Sequence, residues 1–306
     1  MVQALRWGQS AYESAEDIVR EQVAFLALGV ELKTSTELRP DLGSVVILVV
    51  NSGVCVDEAL MARAPGLRLV LTTTSGSDHI DLQAARVRGI AVGRCPLARR
   101  DAVVDTSLAM GLSLTRQLPS LNDRARAGVW ARGELPGRAP FCISGLRVGI
   151  VGAGVIGQLA ISKWRALGAE VQFHDPKVEG GVGLNTMLSQ SELVSLHCSL
   201  TTESRGLMNA ERLALMAAGS VLINTARGAC VDLNDLSCAT HLGGIGLDVF
   251  EVEPPDELAV LAARDNVLLS PHAAGFHPKM SEVVCRELVS SLQAWLREEP
   301  LPSGLV

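Results

Sequence analysis

The sequence predicts an α/β protein built from two parallel-sheet units, and three observations carry that prediction. Short apolar, β-branched runs alternate with stretches of helical period, the runs fall into two groups, before residue 95 and after residue 147, and a long helical segment joins the groups. The expected strands are residues 45–50, 67–72, 148–151, 170–173, 194–197, 220–224 and 245–248, with a further short run at Val267–Leu269. Their apolar residues run without alternation, as in strands covered on both faces. Helices are expected over residues 57–63, 155–167, 209–216 and 232–241. Residues 101–118 form the expected joining helix, residues 128–140 read as irregular, and residues 281–296 are expected to pack back on the first unit.

Composition bounds the function. At roughly 150 residues per domain, 306 residues provide for two domains, and 48% hydrophobic residues exclude a disordered chain. With 33 acidic against 27 basic side chains there is no cationic surplus to neutralise phosphates, so a nucleic-acid role is disfavoured. No apolar run exceeds six residues, the length of 45–50, far short of the ~20 residues that a helix needs to cross a bilayer. The N-terminus shows no basic segment followed by an apolar core, so a soluble, cytoplasmic protein is expected, with no membrane partner. The seven cysteines form no Cys-x-x-Cys pair, which argues against a disulfide framework or a metal site and for buried thiols in a reducing compartment. Only four lysines are present, none of them in a motif loop, so lysine-based chemistry has few candidates.

The sharpest local signal is RVGIVGAGVIGQLA at residues 147–160, where an apolar strand runs into Gly152-x-Gly154-x-x-Gly157 and a helix follows. Glycines at this spacing allow a tight turn, close approach of a pyrophosphate to the backbone, and close helix–strand packing, while free amides at the helix start meet the anion. Asp175 closes the next strand, 18 residues after Gly157. A carboxylate there bonds ribose hydroxyls and repels a 2′-phosphate, which favours NAD over NADP. Lys177 leaves slight room for NADP.

Three polar residues lie where loops follow strands: Arg227 after VLINTA, Glu253 in GLDVFEVEPP, and His272 in LLSPHAAG. Ligands of open parallel sheets bind beyond the carboxyl ends of the strands, so one crevice can receive all three. A guanidinium, a carboxylate and an imidazole form a coherent set for reducing a 2-keto acid. The guanidinium holds the substrate carboxylate and polarises the ketone, the imidazole donates the proton, and the carboxylate keeps the imidazole protonated. Singly, each has a plain structural reading: a helix-entry ion pair, a solvated loop acid and a core histidine.

VGIVGAGVIGQ, Asp175, SLHCSLTTESRGLMN, INTARGACVD, GLDVFEVEP and SPHAAG, in that order, resemble the D-isomer-specific 2-hydroxyacid dehydrogenase family. TTTSGSDHIDLQAARVRGIAVGRCP upstream resembles its substrate-domain segment, so the resemblance runs from about residue 44 to the C-terminus. It implies two Rossmann-like doubly wound domains with an interdomain cleft: a flavodoxin-like substrate domain, residues 1–96 plus 277–306, and an NAD-binding Rossmann domain, residues 97–276. It also implies a homodimer with a dimerisation arm around Trp130. Residue by residue, it makes Arg227 the substrate-binding arginine, Glu253 the partner of the histidine, and His272 the acid/base. Asp248 resembles the residue holding the nicotinamide carboxamide, and Thr225 and Ala226 resemble backbone contacts to the same ring. Val155 and Ile156 would present amides to the pyrophosphate, and Ser75 and Gly76 match the loop whose amides receive the substrate carboxylate.

Several positions depart from the family pattern. Ser199 replaces proline, Ser204 replaces threonine, Asp105 and Thr106 replace a Glu-His pair, and residues 97–100 replace a Gly-Tyr-Ser-type stretch. GFHPKM directly after the histidine loop is also unusual. Arg99 and Arg100 read either as ligands of a second anionic group on the substrate or as helix-flanking charges paired with Asp101 or Asp105. The resulting reading is an NAD-dependent oxidoreductase that interconverts a small anionic 2-keto acid and its D-2-hydroxy acid. The alternatives are a same-fold dehydrogenase of phosphite, a phosphonate or formate, and an NADH-sensing, corepressor-like scaffold. Glu253 in place of glutamine argues against formate, and the absence of a lysine near Ser75 weakens phosphite.

Overall fold

The computed structural model describes residues 2–8, 10, 12–38, 40–138, 140–255 and 258–306; Ala139, within the stretch read as irregular, lies outside them. The chain divides into two compact units, Met1–Arg99 with Phe276–Val306, and Arg100–Gly275. The divisions fall at 99/100 and 275/276, where the sequence reading placed them at 96/97 and 276/277.

The first unit holds a five-stranded sheet made of β1 (Val2–Trp7), β2 (Val30–Ser35), β3 (Ile47–Val50), β4 (Leu69–Thr72) and β5 (Ala91–Gly93). All are parallel, in the order β2-β1-β3-β4-β5. Every residue of β3 and β4 is buried, which is why those two strands read as continuous apolar runs. β1, β2 and β5 are not among the strands that the sequence predicts. β2 and β5 are edge strands, and β2 alternates buried and exposed positions through Val30–Lys33. β1 is hidden by Arg6, a charge in the middle of a strand. That guanidinium is nearly inaccessible and is held by Glu21 at 2.5 Å, Glu13 at 2.7 Å and the Gly8 carbonyl at 2.6 Å. The closing helix Met280–Leu296 packs Met280, Val284, Leu288 and Leu292 onto the face formed by Ile47, Val49, Leu69 and Leu71, on the first unit as expected.

The second unit holds six parallel strands, β6 (Arg147–Val151), β7 (Glu170–His174), β8 (Leu193–Leu196), β9 (Val221–Asn224), β10 (Gly244–Leu247) and β11 (Val267–Leu269). Their order is β11-β10-β9-β8-β6-β7, so the chain reverses direction across the sheet between β6 and β8. Two parallel, helix-covered sheets with crossovers are doubly wound α/β domains, as the sequence predicts. Trp164 of the helix Val155–Ala166 is fully buried and packs on Gly111, where a Cβ would lie 2.9 Å from the indole. The joining helix begins at Leu97 rather than at residue 101, because Glu287 accepts hydrogen bonds from the Leu97 and Ala98 amides at 3.1 and 2.8 Å. A cap supplied from 190 residues away leaves no local sequence signal. No helix among the described residues is long and apolar enough to cross a membrane.

Burial pushes the Glu21 carboxyl above the usual carboxylate range, and the Arg6 guanidinium opposes that push. Arg6→Met therefore leaves an uncompensated buried acid, and it is expected to cost about 3–5 kcal/mol of stability near neutral pH. A folded-state pKa raised above the unfolded one makes the folded form bind protons more tightly, so the deficit shrinks as the pH falls toward the ordinary carboxylate range. Urea midpoints at neutral and mildly acid pH check both the size and the sign.

Candidate active site

β6 ends in Gly152, whose φ of +89° suits glycine, and a Cβ there would lie 2.6 Å from the Cys198 backbone. A Cβ at Gly157 would lie 1.9 Å from the Gly152 carbonyl oxygen, so the turn closes on the helix Val155–Ala166 only without side chains. Gly154, the N-cap of that helix, has open space where a Cβ would stand, and no side chain caps the first turn. Exposed Val155 and half-buried Ile156 follow it. The first amides of the helix therefore face an uncovered cradle, and a dinucleotide pyrophosphate fits that donor set.

Asp175 follows β7. One carboxylate oxygen accepts from the Ala153 amide and the other from the Lys177 amide, both at 2.8 Å. Asp175 is thus fixed to the glycine turn itself. At the end of β9, the Thr225 hydroxyl is buried with no hydrogen-bond partner among the described residues, an orphaned polar atom beside buried Ala226. Such a group suits a polar ligand lying along this edge of the sheet.

The loops after β9, β10 and β11 are tied together. Gly228, next to Arg227, packs so closely on the Phe250–Glu251 peptide that a Cβ would lie 1.9 Å from the Phe250 carbonyl carbon. The Phe250 amide donates to Glu253 Oε1 at 2.9 Å, and Glu253 Oε2 lies 2.6 Å from His272 Nδ1. A carboxylate only accepts, so it fixes the proton on Nδ1 and leaves Nε2 as the ring nitrogen for a ligand. The His272 side chain is 54% exposed and that of Glu253 35%. Arg227 Nη1 donates to the Ala226 carbonyl at 2.8 Å, and Asn224 Nδ2 holds the Arg227 carbonyl at 2.9 Å.

His272 adopts φ +51°, and its amide donates to the Asp248 carbonyl at 2.7 Å. The Asp248 carboxylate, only 1% exposed, accepts from Ser270 Oγ at 2.6 Å, the Ala273 amide at 2.8 Å and the Ala274 amide at 3.1 Å. One buried acid therefore anchors the whole histidine loop.

Residues 108–274 match the family described as D-isomer specific 2-hydroxyacid dehydrogenase, NAD binding domain. The chain is 32% identical over 267 residues to a glyoxylate/hydroxypyruvate reductase of Arabidopsis thaliana, covering 83% of this chain and 81% of that protein. The chain belongs to the D-isomer specific 2-hydroxyacid dehydrogenase family. It is also 31% identical over 270 residues to the D-3-phosphoglycerate dehydrogenase of Mycobacterium tuberculosis, of which it spans only half the length. A D-lactate dehydrogenase from Aquifex aeolicus, solved with NAD and lactic acid, superposes with a TM-score of 0.81 at 28% identity, covering 97% of this chain and 96% of the other. The protein is accordingly an NAD-dependent oxidoreductase of this dehydrogenase family, and the glycine turn and Asp175 lie in its NAD-binding domain.

In this dehydrogenase the structure brings Arg227, Glu253, His272 and Asp248 into one cluster of loops in the second unit, with the glycine turn, Asp175, Thr225 and Ala226 on the same sheet. Ser75 and Gly76 lie in the first unit, directly after β4. Of the two arginines considered for a second anion, Arg99 Nη1 donates to the Thr73 carbonyl at 2.5 Å, and Arg100 pairs with Asp101 at 2.9 Å. His277 contacts the Ala98 carbonyl through Nε2 at 2.8 Å.

Sequence reasoning assigned no role to His197, whose Cβ lies 3.7 Å from where a Gly157 Cβ would stand. Burial pushes its imidazole down to about 4, so a neutral ring lies against the phosphate turn. The only signal in the sequence is its place at the end of a continuous apolar strand. Gly157→Ala is expected to weaken NADH binding by about tenfold or more, because the turn must open to admit the methyl. Fluorescence titration with NADH measures the change, and an unaltered affinity would remove the turn from the cofactor site.

Proposed function

We propose that this dehydrogenase reduces a small 2-keto acid bearing a single anionic group to its D-2-hydroxy acid, with His272 as proton donor. The observation that carries the reading is the 2.6 Å pair of His272 Nδ1 and Glu253, which leaves Nε2 of a half-exposed imidazole for the substrate on a fixed loop. NADH, when bound, supplies the hydride to the carbonyl carbon. His272 gives its Nε2 proton to the carbonyl oxygen, and Glu253 stabilises the ring throughout. Arg227 binds the substrate carboxylate and polarises the ketone, and the Ser75 and Gly76 amides receive the carboxylate from the first unit. Val155 and Ile156 amides hold the pyrophosphate, Asp175 the ribose, and Thr225, Ala226 and Asp248 the nicotinamide end.

One observation supports a single anionic group. Arg99 and Arg100, the cations that would bind a second one, are each engaged elsewhere, on the Thr73 carbonyl and on Asp101. The relatives named for glyoxylate and hydroxypyruvate fit this reading, while the D-3-phosphoglycerate dehydrogenases matched at 31% identity point to a phosphorylated substrate instead. We also infer a homodimer, since Leu118, Val129 and 84%-exposed Trp130 leave an apolar surface on the segment that resembles the family's arm.

Turnover of NADH against glyoxylate, hydroxypyruvate, pyruvate, phosphohydroxypyruvate and oxaloacetate tests the substrate. Higher kcat/KM for the first three is expected, and a doubly anionic winner would overturn the assignment. His272→Asn is expected to lower kcat at least about a hundredfold while NADH affinity stays unchanged. Sedimentation of the wild type and of Trp130→Ser tests the dimer, which the substitution should weaken.

A further inference from the structure

The loop after β4 has an unusual distribution of hydrogen bonds. Each of its four carbonyls from Thr73 to Gly76 is occupied. Thr73 O accepts from Arg99 Nη1 at 2.5 Å, Thr74 O from the Cys95 amide at 3.0 Å, Ser75 O from Arg94 Nη1 at 3.1 Å, and Gly76 O from Thr74 Oγ1 at 2.8 Å. Among the described residues, by contrast, no acceptor meets the Ser75 or Gly76 amide. A loop with its acceptors consumed and neighbouring donors left over is built to receive an anion.

The peptide unit matters here. The carbonyl that Arg94 caps, Ser75 O, belongs to the same peptide as the Gly76 N–H. A cation on the oxygen of a peptide draws electron density toward that oxygen and strengthens its N–H as a donor. Arg99 caps the Thr73–Thr74 peptide, whose N–H is turned inward onto Thr72 Oγ1 at 3.3 Å, so Arg99 fixes the loop without touching an open amide. Arg94 is also half-buried, and its Nε–H is buried without an acceptor among the described residues. Burial acts against its charge and the Glu287 carboxylate acts for it, so the guanidinium stays a cation beside the loop.

We propose that Arg94 is a positioning residue for substrate: by capping Ser75 O it holds the Thr73–Gly76 loop with the Ser75 and Gly76 amides open, and it strengthens the Gly76 amide toward a carboxylate. This rests on the proposed role of Ser75 and Gly76 as receivers of the substrate carboxylate. Arg94 touches neither substrate nor cofactor. Its effect therefore falls on carboxylate affinity and leaves nucleotide affinity unmoved. A purely structural arginine would instead disturb folding, cofactor and substrate together.

The test uses the full chain and compares wild type with Arg94→Lys, Arg94→Gln and Arg94→Ala. The readouts are KM and kcat for glyoxylate with NADH, calorimetric binding of oxamate to the NADH complex, NADH affinity and melting temperature. Loss of a charged hydrogen bond is expected to raise KM and weaken oxamate binding by about tenfold in Arg94→Gln and Arg94→Ala. Arg94→Lys, which keeps the charge, should recover part of the loss, with kcat and NADH affinity close to wild type in all three. If the variants fold and bind glyoxylate and oxamate as the wild type does, the proposal is wrong and the role of Ser75 and Gly76 stands. It is equally wrong if NADH affinity falls in step with KM and lysine restores nothing. A wild type that neither turns over glyoxylate nor binds oxamate would bring down the role of Ser75 and Gly76, and the proposal with it.

Discussion

The buried carboxylate of Asp248 is the constraint on which the loops after β10 and β11 depend. It stands at the end of β10 and collects hydrogen bonds from Ser270, Ala273 and Ala274, so the chain leaving β11 is drawn across the ends of two strands. His272 sits inside that bracket in a left-handed conformation, which costs backbone energy and persists because its neighbours on both sides are pinned. The imidazole then needs only one further partner to be oriented, and Glu253 supplies it. Because Gly228 packs on the Phe250–Glu251 peptide, the arginine loop is fixed to the same frame. The geometry of the proposed catalytic cluster is a property of three strand ends held together by one acid and one glycine contact.

The same economy operates at the glycine turn. Gly152 and Gly157 omit side chains where the backbones of β6, its helix and the segment after β8 must touch, and Gly154 omits one where the space beside it is open. Asp175 then bonds back to the Ala153 amide, so the acid after β7 and the glycine turn form one tied element. In the first unit the logic is reversed. Carbonyls are covered one after another, two of them by guanidiniums, and what remains exposed is a pair of amides.

Much of this was legible in the sequence, for identifiable reasons. The strands β3, β4, β8, β9 and β10 are buried along their whole length and announce themselves as apolar runs. The glycine spacing is legible because only glycine tolerates those contacts. The histidine loop was marked by its position after a strand and by its resemblance to a known family. What escaped was whatever depends on distant partners. β1 carries Arg6, a charge that reads as exposed until Glu13 and Glu21 arrive from the next helix and its lead-in. The joining helix starts early because of Glu287. Arg99 and Arg100 looked equivalent, yet one is spent on a carbonyl and the other on its neighbour Asp101. Arg94 drew no notice, since a lone arginine after an edge strand has nothing local to distinguish it.

In the proposed function, hydride donor and proton donor would both be held by the second unit, the first through the glycine turn and Asp175, the second through Asp248 and Glu253. A ketone reduced between two donors fixed to one rigid sheet is attacked on one face only. The direct test is chiral analysis of the glycerate formed from hydroxypyruvate and NADH by the wild-type protein. The account predicts the D isomer alone. The L isomer, a racemate, or no glycerate while NADH remains bound would contradict it.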